Sequence, residues 1–226
     1  MKIAVLGTGM VGRAISAKLT ECGHEVMLGT REVSKTLAHN EPDGMGNPPF
    51  HVWYEQHSQI KLGTFAEAGA FGELLFNCTA GGVSLEVLKA VGESNLNGKI
   101  LIDIANTLDF SRGMPPTLSV ANTDSLAEQI QRAYPQLKVV KSLNTMNAYL
   151  MVNPALLPAE HDVFVSGNDA EAKAQVAAFL KDNFGWKSVI DLGDIQTARG
   201  AEMMLPIWLS LFGALQTPMF NFKVVR

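Results

Sequence analysis

Short apolar runs alternate with amphipathic stretches along most of this chain. Runs of strand type cover residues 2–7, 25–30, 74–79, 99–105, 138–143, 162–166 and 188–192, with a weaker one at Gln59-Ile60-Lys61-Leu62. Between them, apolar residues recur at helical spacing near 10–22, 32–39, 65–71, 84–92, 124–134, 169–182 and 195–216. In the first of these, Val11, Ile15, Leu19 and Cys22 share one stripe. Ser125 with Glu128 fits a capping box, and Asp169 stands where it can cap the helix after it. Strands that are apolar almost throughout need cover on both faces, which means a parallel sheet between two helix layers. Right-handed crossovers then give an α/β fold with a doubly wound, mostly parallel sheet of Rossmann type.

Two segments interrupt the alternation. Residues 40–50 and 106–122 are dense in proline, glycine and small polar residues, and read as loops. The second follows the carboxyl end of a strand, where ligands bind in such a sheet, and is a candidate lid on the substrate side. Near the end of the chain, residues 203–215 (Met-Met-Leu-Pro-Ile-Trp-Leu-Ser-Leu-Phe-Gly-Ala-Leu) are almost wholly apolar. The stretch is too short and interrupted to span a bilayer. A helix apolar all round is expected to be buried on all sides, so it packs under the sheet, closes a pocket or sits in a dimer interface. Pro206 predicts a kink or a break in it. The expected architecture is therefore the doubly wound sheet with a C-terminal apolar helical cap.

The junction of the first strand and first helix carries Gly7-Thr8-Gly9-Met10-Val11-Gly12. Glycine at these spacings permits a tight turn (Gly7), bare backbone against a pyrophosphate (Gly9) and close packing of helix on strand (Gly12). The pyrophosphate then meets free N–H groups at the helix N-terminus. A tight turn with no ligand is the plainer alternative. An NAD site places an acidic residue at the end of the second strand, to hold the ribose 2′-hydroxyl. Here that strand ends in Thr30-Arg31, with Lys35 four residues on. A hydroxyl, a guanidinium and an ammonium suit a 2′-phosphate, which a carboxylate would repel. The expected cofactor is NADP(H) rather than NAD.

Composition narrows the class. Of the 226 residues 47% are hydrophobic and 18% charged, as in a soluble globular protein. The formal net charge of −4 points to neither nucleic acid nor a membrane surface as partner. Two cysteines, one in a helix and one in a strand, make a disulfide framework improbable and suggest a cytoplasmic location. Lys2 and the apolar residues after it read as a strand rather than a leader, because the run breaks at Gly7. His24, His39, His51, His57 and His161 lie in turns or beside polar segments, read as surface residues, and lack metal-site spacing. Cys78 reads as an inert thiol. What stands at the strand ends is polar but neutral: Asn77, Thr79, Asn106, Thr107, Asn144, Thr145 and Asn147. No catalytic acid or base and no metal site are expected. That absence suits hydride transfer between two redox rings, which needs alignment more than protein acid–base chemistry.

At this point the residues carry a resemblance. Ala4-Val5-Leu6-Gly7-Thr8-Gly9-Met10-Val11-Gly12, Gly23-His24-Glu25-Val26 with Gly29-Thr30-Arg31 and Lys35, Val139-Val140-Lys141-Ser142-Leu143-Asn144-Thr145, and the tail around Leu205-Pro206-Ile207 and Asn221-Phe222-Lys223 are similar to the coenzyme F420-dependent NADP oxidoreductase family. The resemblance covers nearly the whole chain. It implies that Gly7, Thr8, Gly9, Met10, Val11 and Gly12 wrap the pyrophosphate and that Thr30, Arg31 and Lys35 hold the 2′-phosphate. It implies that Thr79, Ala80, Gly81, Asn106 and Ala148 line the nicotinamide end. Asn144, Met146 and Asn147 would face the second substrate, coenzyme F420 or a flavin, under the apolar C-terminal helix. Residues 1–167 are then the NADP-binding domain and 168–226 a C-terminal extension with the capping helix, in a homodimer that works on a small-molecule acceptor. Two other readings stay open: an imine reductase of the pyrroline-carboxylate type, and a non-catalytic NADP(H)-sensing protein.

Overall fold

A computed structural model of the chain describes residues 1–42 and 46–226. Its strands are β1 (Lys2–Leu6), β2 (Glu25–Thr30), β3 (Lys61–Thr64), β4 (Leu74–Asn77), β5 (Ile100–Asp103), β6 (Leu108–Asp109), β7 (Thr117–Leu118), β8 (Lys138–Ser142), β9 (Asp162–Ser166) and β10 (Ser188–Gly193). Its helices are α1 (Met10–Glu21), α2 (Val33–Ala38), α3 (Phe50–Glu55), α4 (Phe65–Phe71), α5 (Ser84–Val91), α6 (Glu93–Leu96), α7 (Leu126–Ala133), α8 (Ala148–Val152), α9 (Ala170–Phe179), α10 (Ala198–Met203) and α11 (Leu205–Leu215). Among the described residues an eight-stranded sheet runs in the order β10-β9-β8-β5-β4-β1-β2-β3. All its pairings are parallel except β8 with β9, where Lys141 faces Ser166 and Ser142 faces Val165. The strand order reverses at β1, which lies between β2 and β4. The crevice above the carboxyl ends of β1 and β4 is where this architecture binds ligands.

Alternation along each strand feeds two cores, because successive side chains point to opposite faces. Ile3, Val5, Phe76, Ile102 and Val140 pack with Ile15 and Leu19 of α1, Leu150 of α8 and Val176 of α9. Ala4, Leu6, Leu75, Leu101 and Val139 pack on the other face with Ala68 of α4, Leu88 of α5, Ile130 of α7 and Ala198 of α10. The expected caps are in place: Ser125 Oγ accepts from the Glu128 amide (3.2 Å) and Asp169 Oδ1 from the Ala172 amide (2.8 Å).

Several expectations need correcting. The helical stretch 195–216 is a 3₁₀ turn (Ile195–Thr197) followed by α10 and α11, with the junction at Met204. Pro206 lacks the N–H that would continue α10, so the helix restarts there. Residues 106–122 are more than loop, since β6 and β7 pair as a small antiparallel ribbon. Of the loop expected at 40–50, Asp43, Gly44 and Met45 lie outside the described residues. Its end is the start of α3, where Phe50 is buried and stacks on Tyr54 at 5.5 Å. The strand expected at 188–192 is present as β10, an edge strand of the same sheet.

The C-terminal helix departs furthest. Only Leu205 of α11 is buried; Ile207, Phe212 and Leu215 are 50%, 36% and 53% exposed. Trp208 stacks between Phe212 and Phe220, at centroid distances of 5.6 and 5.3 Å. Burial on all sides within one chain is therefore not what α11 finds. Both faces of the sheet are already covered by the two helix layers, which leaves α11 no third surface to enter.

Candidate functional site

The three glycines of the first turn differ in what the fold asks of them. Gly7 has φ +111°, its amide donates to the Gly29 carbonyl (3.0 Å), and a Cβ on it would lie 2.8 Å from the Cys78 carbonyl oxygen. A Cβ on Gly12 would lie 1.9 Å from the Gly7 carbonyl oxygen. These two are demanded by the fold. Gly9 is not: its φ is −72°, and among the described residues nothing beyond its chain neighbours stands within 4 Å of where its Cβ would be. It caps α1, whose first amides receive no side-chain cap, and α1 carries no acidic residue in its first turn. Bare backbone, unfilled space and the positive end of a helix dipole meet at one point, the arrangement that receives an anion. Arg13 supports the loop from below: its Nε donates to the Thr8 carbonyl (3.0 Å) and an Nη to the Pro48 carbonyl (2.7 Å).

An open groove of about 270 Å³ runs from this loop to the end of β2, lined by Gly7, Thr8, Gly9, Thr30, Arg31 and, from the β4 side, Thr79 and Ala80. The sequence expectation is thus assembled in space for these residues. Thr30 is buried, its hydroxyl hydrogen-bonded to that of Thr36 (2.7 Å). The exposed Arg31 guanidinium has no partner among the described residues. Lys35 is not in the lining. Its side chain is 80% exposed and pairs with Glu32, three residues before it, at 2.7 Å. The chain's larger cavity, about 490 Å³ along α1 between α3 and α8, meets the glycine loop only at Met10.

At the other end of the groove the loops after β4, β5 and β8 interlock. A Cβ on Gly81 would lie 2.4 Å from the Asn106 carbonyl oxygen, and the Gly81 amide donates to that oxygen (3.0 Å). Asn106 Nδ2 donates to the Asn144 carbonyl (2.9 Å). Asn144 Nδ2 donates back to Asn106 Oδ1 and to the Ala201 carbonyl, both at 3.0 Å. Ala148 is buried at the start of α8. The expectation that Asn144, Met146 and Asn147 present side chains to a substrate is not how the fold uses them. Asn144 is 3% exposed, and its amide ties its own loop to the loop after β5 and to α10. Met146 belongs to the core. Asn147 caps α8, accepting from the Tyr149 (2.9 Å) and Leu150 (3.2 Å) amides, and donates to the Pro218 carbonyl of the tail.

The strand ends are not wholly neutral, which corrects another expectation. Asn77, Asp103 and Lys141 are register partners on adjacent strands β4, β5 and β8. Asn77 Nδ2 donates to Asp103 Oδ1 (2.8 Å), and Lys141 Nζ lies 2.9 Å from Asp103 Oδ2 and 3.0 Å from Glu202 Oε1 of α10. Lys141 also donates to the Ala105 carbonyl. Glu202 accepts from the Leu126 (3.0 Å) and Ala127 (3.2 Å) amides that open α7. The side chains of the triad are closed off from solvent. Burial disfavours the Lys141 charge, but Asp103 and Glu202 overcome it and hold its pKa above the ordinary lysine value. The signal in the sequence was Asp103 at the end of an otherwise apolar strand and Lys141 after the apolar pair Val139-Val140 of the next strand in the sheet.

The remaining titratable residues are mostly structural. His161 is buried rather than on the surface. Its Nε2 meets the Pro154 carbonyl (3.0 Å), its Nδ1 accepts from Asn221 (2.7 Å), and its ring sits edge-on to Trp186. Cys78 lines the groove, and burial pushes its thiol pKa far up, as expected of an inert thiol. Cys22 and Cys78 are both free thiols. No helix among the described residues is long and apolar enough to cross a membrane.

Residues 2–107 match the family described as NADP oxidoreductase, coenzyme F420-dependent. The chain is 25% identical over 215 residues to an F420-dependent NADP reductase of Methanothermobacter marburgensis, covering 93% of this chain and 92% of that one. A solved structure from Arthrobacter sp. FB24, provisionally assigned as an F420-dependent NADP reductase, is 57% identical over 100% of both chains, with a TM-score of 0.95. An imine reductase from Myxococcus stipitatus in complex with NADP+ is similar in fold, with 16% identity and a TM-score of 0.64 over 96% of this chain and 64% of that one.

Proposed function

The chain belongs to the coenzyme F420-dependent NADP oxidoreductase family, and from that premise we propose that the groove over β1, β2 and β4 holds NADP(H) for hydride exchange with a second redox ring. The protein is an NADP(H)-dependent oxidoreductase whose acceptor is coenzyme F420 or a flavin-like ring. The observation that carries the residue assignment is Gly9. It is a glycine that neither backbone conformation nor packing requires, at a helix N-terminus beneath open space.

When bound, NADP(H) supplies the hydride chemistry; the chain supplies binding and alignment. Backbone N–H groups from Gly9 to Val11 take the pyrophosphate. Thr30 and Arg31 take the 2′-phosphate, and Lys35 joins them by leaving Glu32, an exchange its exposure makes inexpensive. Thr79, Ala80 and Gly81 form the floor at the nicotinamide end, stiffened by the Gly81–Asn106–Asn144 contacts. Met10, Val11, Gly12 and Ala148 complete the nucleotide-facing set. The acceptor side is framed by the 143–148 loop, residues 168–226 and α11. We further propose a cytoplasmic homodimer. Free Cys22 and Cys78 favour the reducing compartment, and the uncovered apolar surface of α11 favours a second copy.

Calorimetric titration tests the cofactor. NADPH should bind more tightly than NADH, and Arg31→Ala should remove most of the difference. One charge-assisted hydrogen bond is worth about 1.5–3 kcal/mol, or roughly ten- to a hundredfold in affinity. Equal affinities in the wild type would overturn the reading. Oxidation of NADPH in the presence of F420, FMN, FAD and ferric chelates then ranks the acceptors.

A further inference from the structure

The two ends of the site are joined by a continuous buried chain of hydrogen bonds that the reaction does not itself explain. It begins at Thr79 in the groove lining, whose amide (3.3 Å) and hydroxyl (2.7 Å) both donate to Asn77 Oδ1. From Asn77 it passes to Asp103, to Lys141 and to Glu202, and ends on the first two amides of α7. Four elements of different origin in the sequence are thereby held at one point: the loops after β4 and β5, α7 and α10. A second tie fixes α10 at the same height, because Arg199 grips Glu128 of α7 with Nε (2.8 Å) and Nη2. Beyond α10 comes α11, which has almost no packing of its own against the sheet.

We propose that Lys141 is a positioning residue that sets the distance between the nicotinamide floor (Thr79-Ala80-Gly81) and the wall formed by α10 and α11. The inference rests on the nucleotide assignment above. Lys141 is a charged group that touches both sides, deeper in the sheet than the Asn144 amide that bonds Asn106 and the Ala201 carbonyl. Its Nζ reaches β5 through Asp103, the following loop through the Ala105 carbonyl, and α10 through Glu202. No apolar residue in its place would draw α10 in against the carbonyl and carboxylate groups that line this interior. Buried charge is an expensive way to build a core, and one partner removed leaves an uncompensated charge. It is a precise way to fix a distance, because both carboxylates must meet one ammonium. Ring-to-ring hydride transfer depends on such distances, and misplacement by about 1 Å costs on the order of a hundredfold in rate. Lys141 touches neither the groove nor the reacting atoms, so its part is alignment alone.

The test uses the full chain carrying Glu202→Gln, which keeps the side-chain shape but weakens the pull on Lys141, and Lys141→Met. Three quantities are measured: the NADPH dissociation constant, the fluorescence anisotropy of the bound reduced nicotinamide, and the single-turnover rate of NADPH oxidation by F420. We expect the dissociation constant to change by less than about threefold, since the pyrophosphate and 2′-phosphate contacts are untouched. We expect the anisotropy to fall, and the rate to drop by roughly ten- to a hundredfold. Should Lys141→Met fail to fold, Glu202→Gln decides. Folded variants with wild-type anisotropy and wild-type rate would overturn the inference. A loss of NADPH affinity equal to the loss of rate would overturn it too, because the triad would then act on binding as a whole. Titration of the wild type judges the nucleotide assignment separately, and anisotropy needs no acceptor, so failure of one reading is distinguishable from failure of the other.

Discussion

A single residue type, glycine, does different things at three positions of one loop, and the difference can be measured. Gly12→Ala would drive a methyl group into the Gly7 carbonyl at 1.9 Å, so it should destabilise the turn and with it α1. The Cβ introduced by Gly9→Val meets none of the described residues beyond its chain neighbours within 4 Å, so the variant should fold normally, yet the branched side chain occupies the space proposed for the pyrophosphate. The expected result is native circular dichroism and melting for Gly9→Val with NADPH binding abolished, and a lowered melting temperature for Gly12→Ala. If Gly9→Val binds NADPH as the wild type does, the nucleotide is elsewhere. The glycine pattern, Thr30 and Arg31 were legible in the sequence because their spacing alone places them at a turn and a strand end. In the sequence, an amide such as that of Asn144 or Asn147 looks the same whether it faces a ligand or ties segments together, and only the positions of Ala201 and Pro218 reveal their partners within the chain.

At the scale of elements, helix capping was the most readable feature, because its partners lie within one turn. The start of α7 also carries a pH dependence. Asp124, just before the Ser125 cap, accepts two bonds from Arg132 (2.9 and 2.7 Å) and one from Gln129 (3.0 Å). The hydrogen bonds from Arg132 are the chief cause of a carboxyl pKa lowered from 3.8 to about 2. A depressed carboxylate stabilises the fold above its unfolded value and loses that contribution as pH falls through the folded one. Stability from this pair is therefore complete above pH 4 and lost between about 3.8 and 2. The Arg132 side chain is 60% exposed, so screening reduces the contribution to about 1 kcal/mol or less. Comparing urea unfolding of wild type and Asp124→Asn should show this difference at pH 6 and none at pH 2. A difference that persists at pH 2 would assign the effect to something other than ionisation. The elements least visible in the sequence were α3 and the β6–β7 ribbon. Six residues of helix and two-residue strands are too short to show a period.

For the whole molecule, the uncovered helix matters most. Ile207, Phe212, Leu215 and Met219 together put a large apolar surface on a chain with ample polar cover elsewhere. Light scattering at micromolar concentration should give the mass of two chains, and Phe212→Asp should shift it toward one. A wild-type monomer would remove the homodimer proposal and leave α11 as a surface for the acceptor or another partner.

The sequence by itself determined the alternating strands and helices and the glycine turn between β1 and α1. It also placed Thr30 and Arg31, with no acidic residue, at the end of β2. Each of these follows from spacing, which fixes backbone geometry over a few residues. Tertiary structure alone decided what depends on neighbours distant in the chain. It aligned Asn77, Asp103 and Lys141 across three strands and brought Glu202 to them from α10. It buried His161 beneath the tail and set the Asn147 amide against the Pro218 carbonyl. It also left α11 outside, because two helix layers already fill both faces of the sheet, and no pattern within eleven apolar residues can tell which surfaces the rest of the chain has taken.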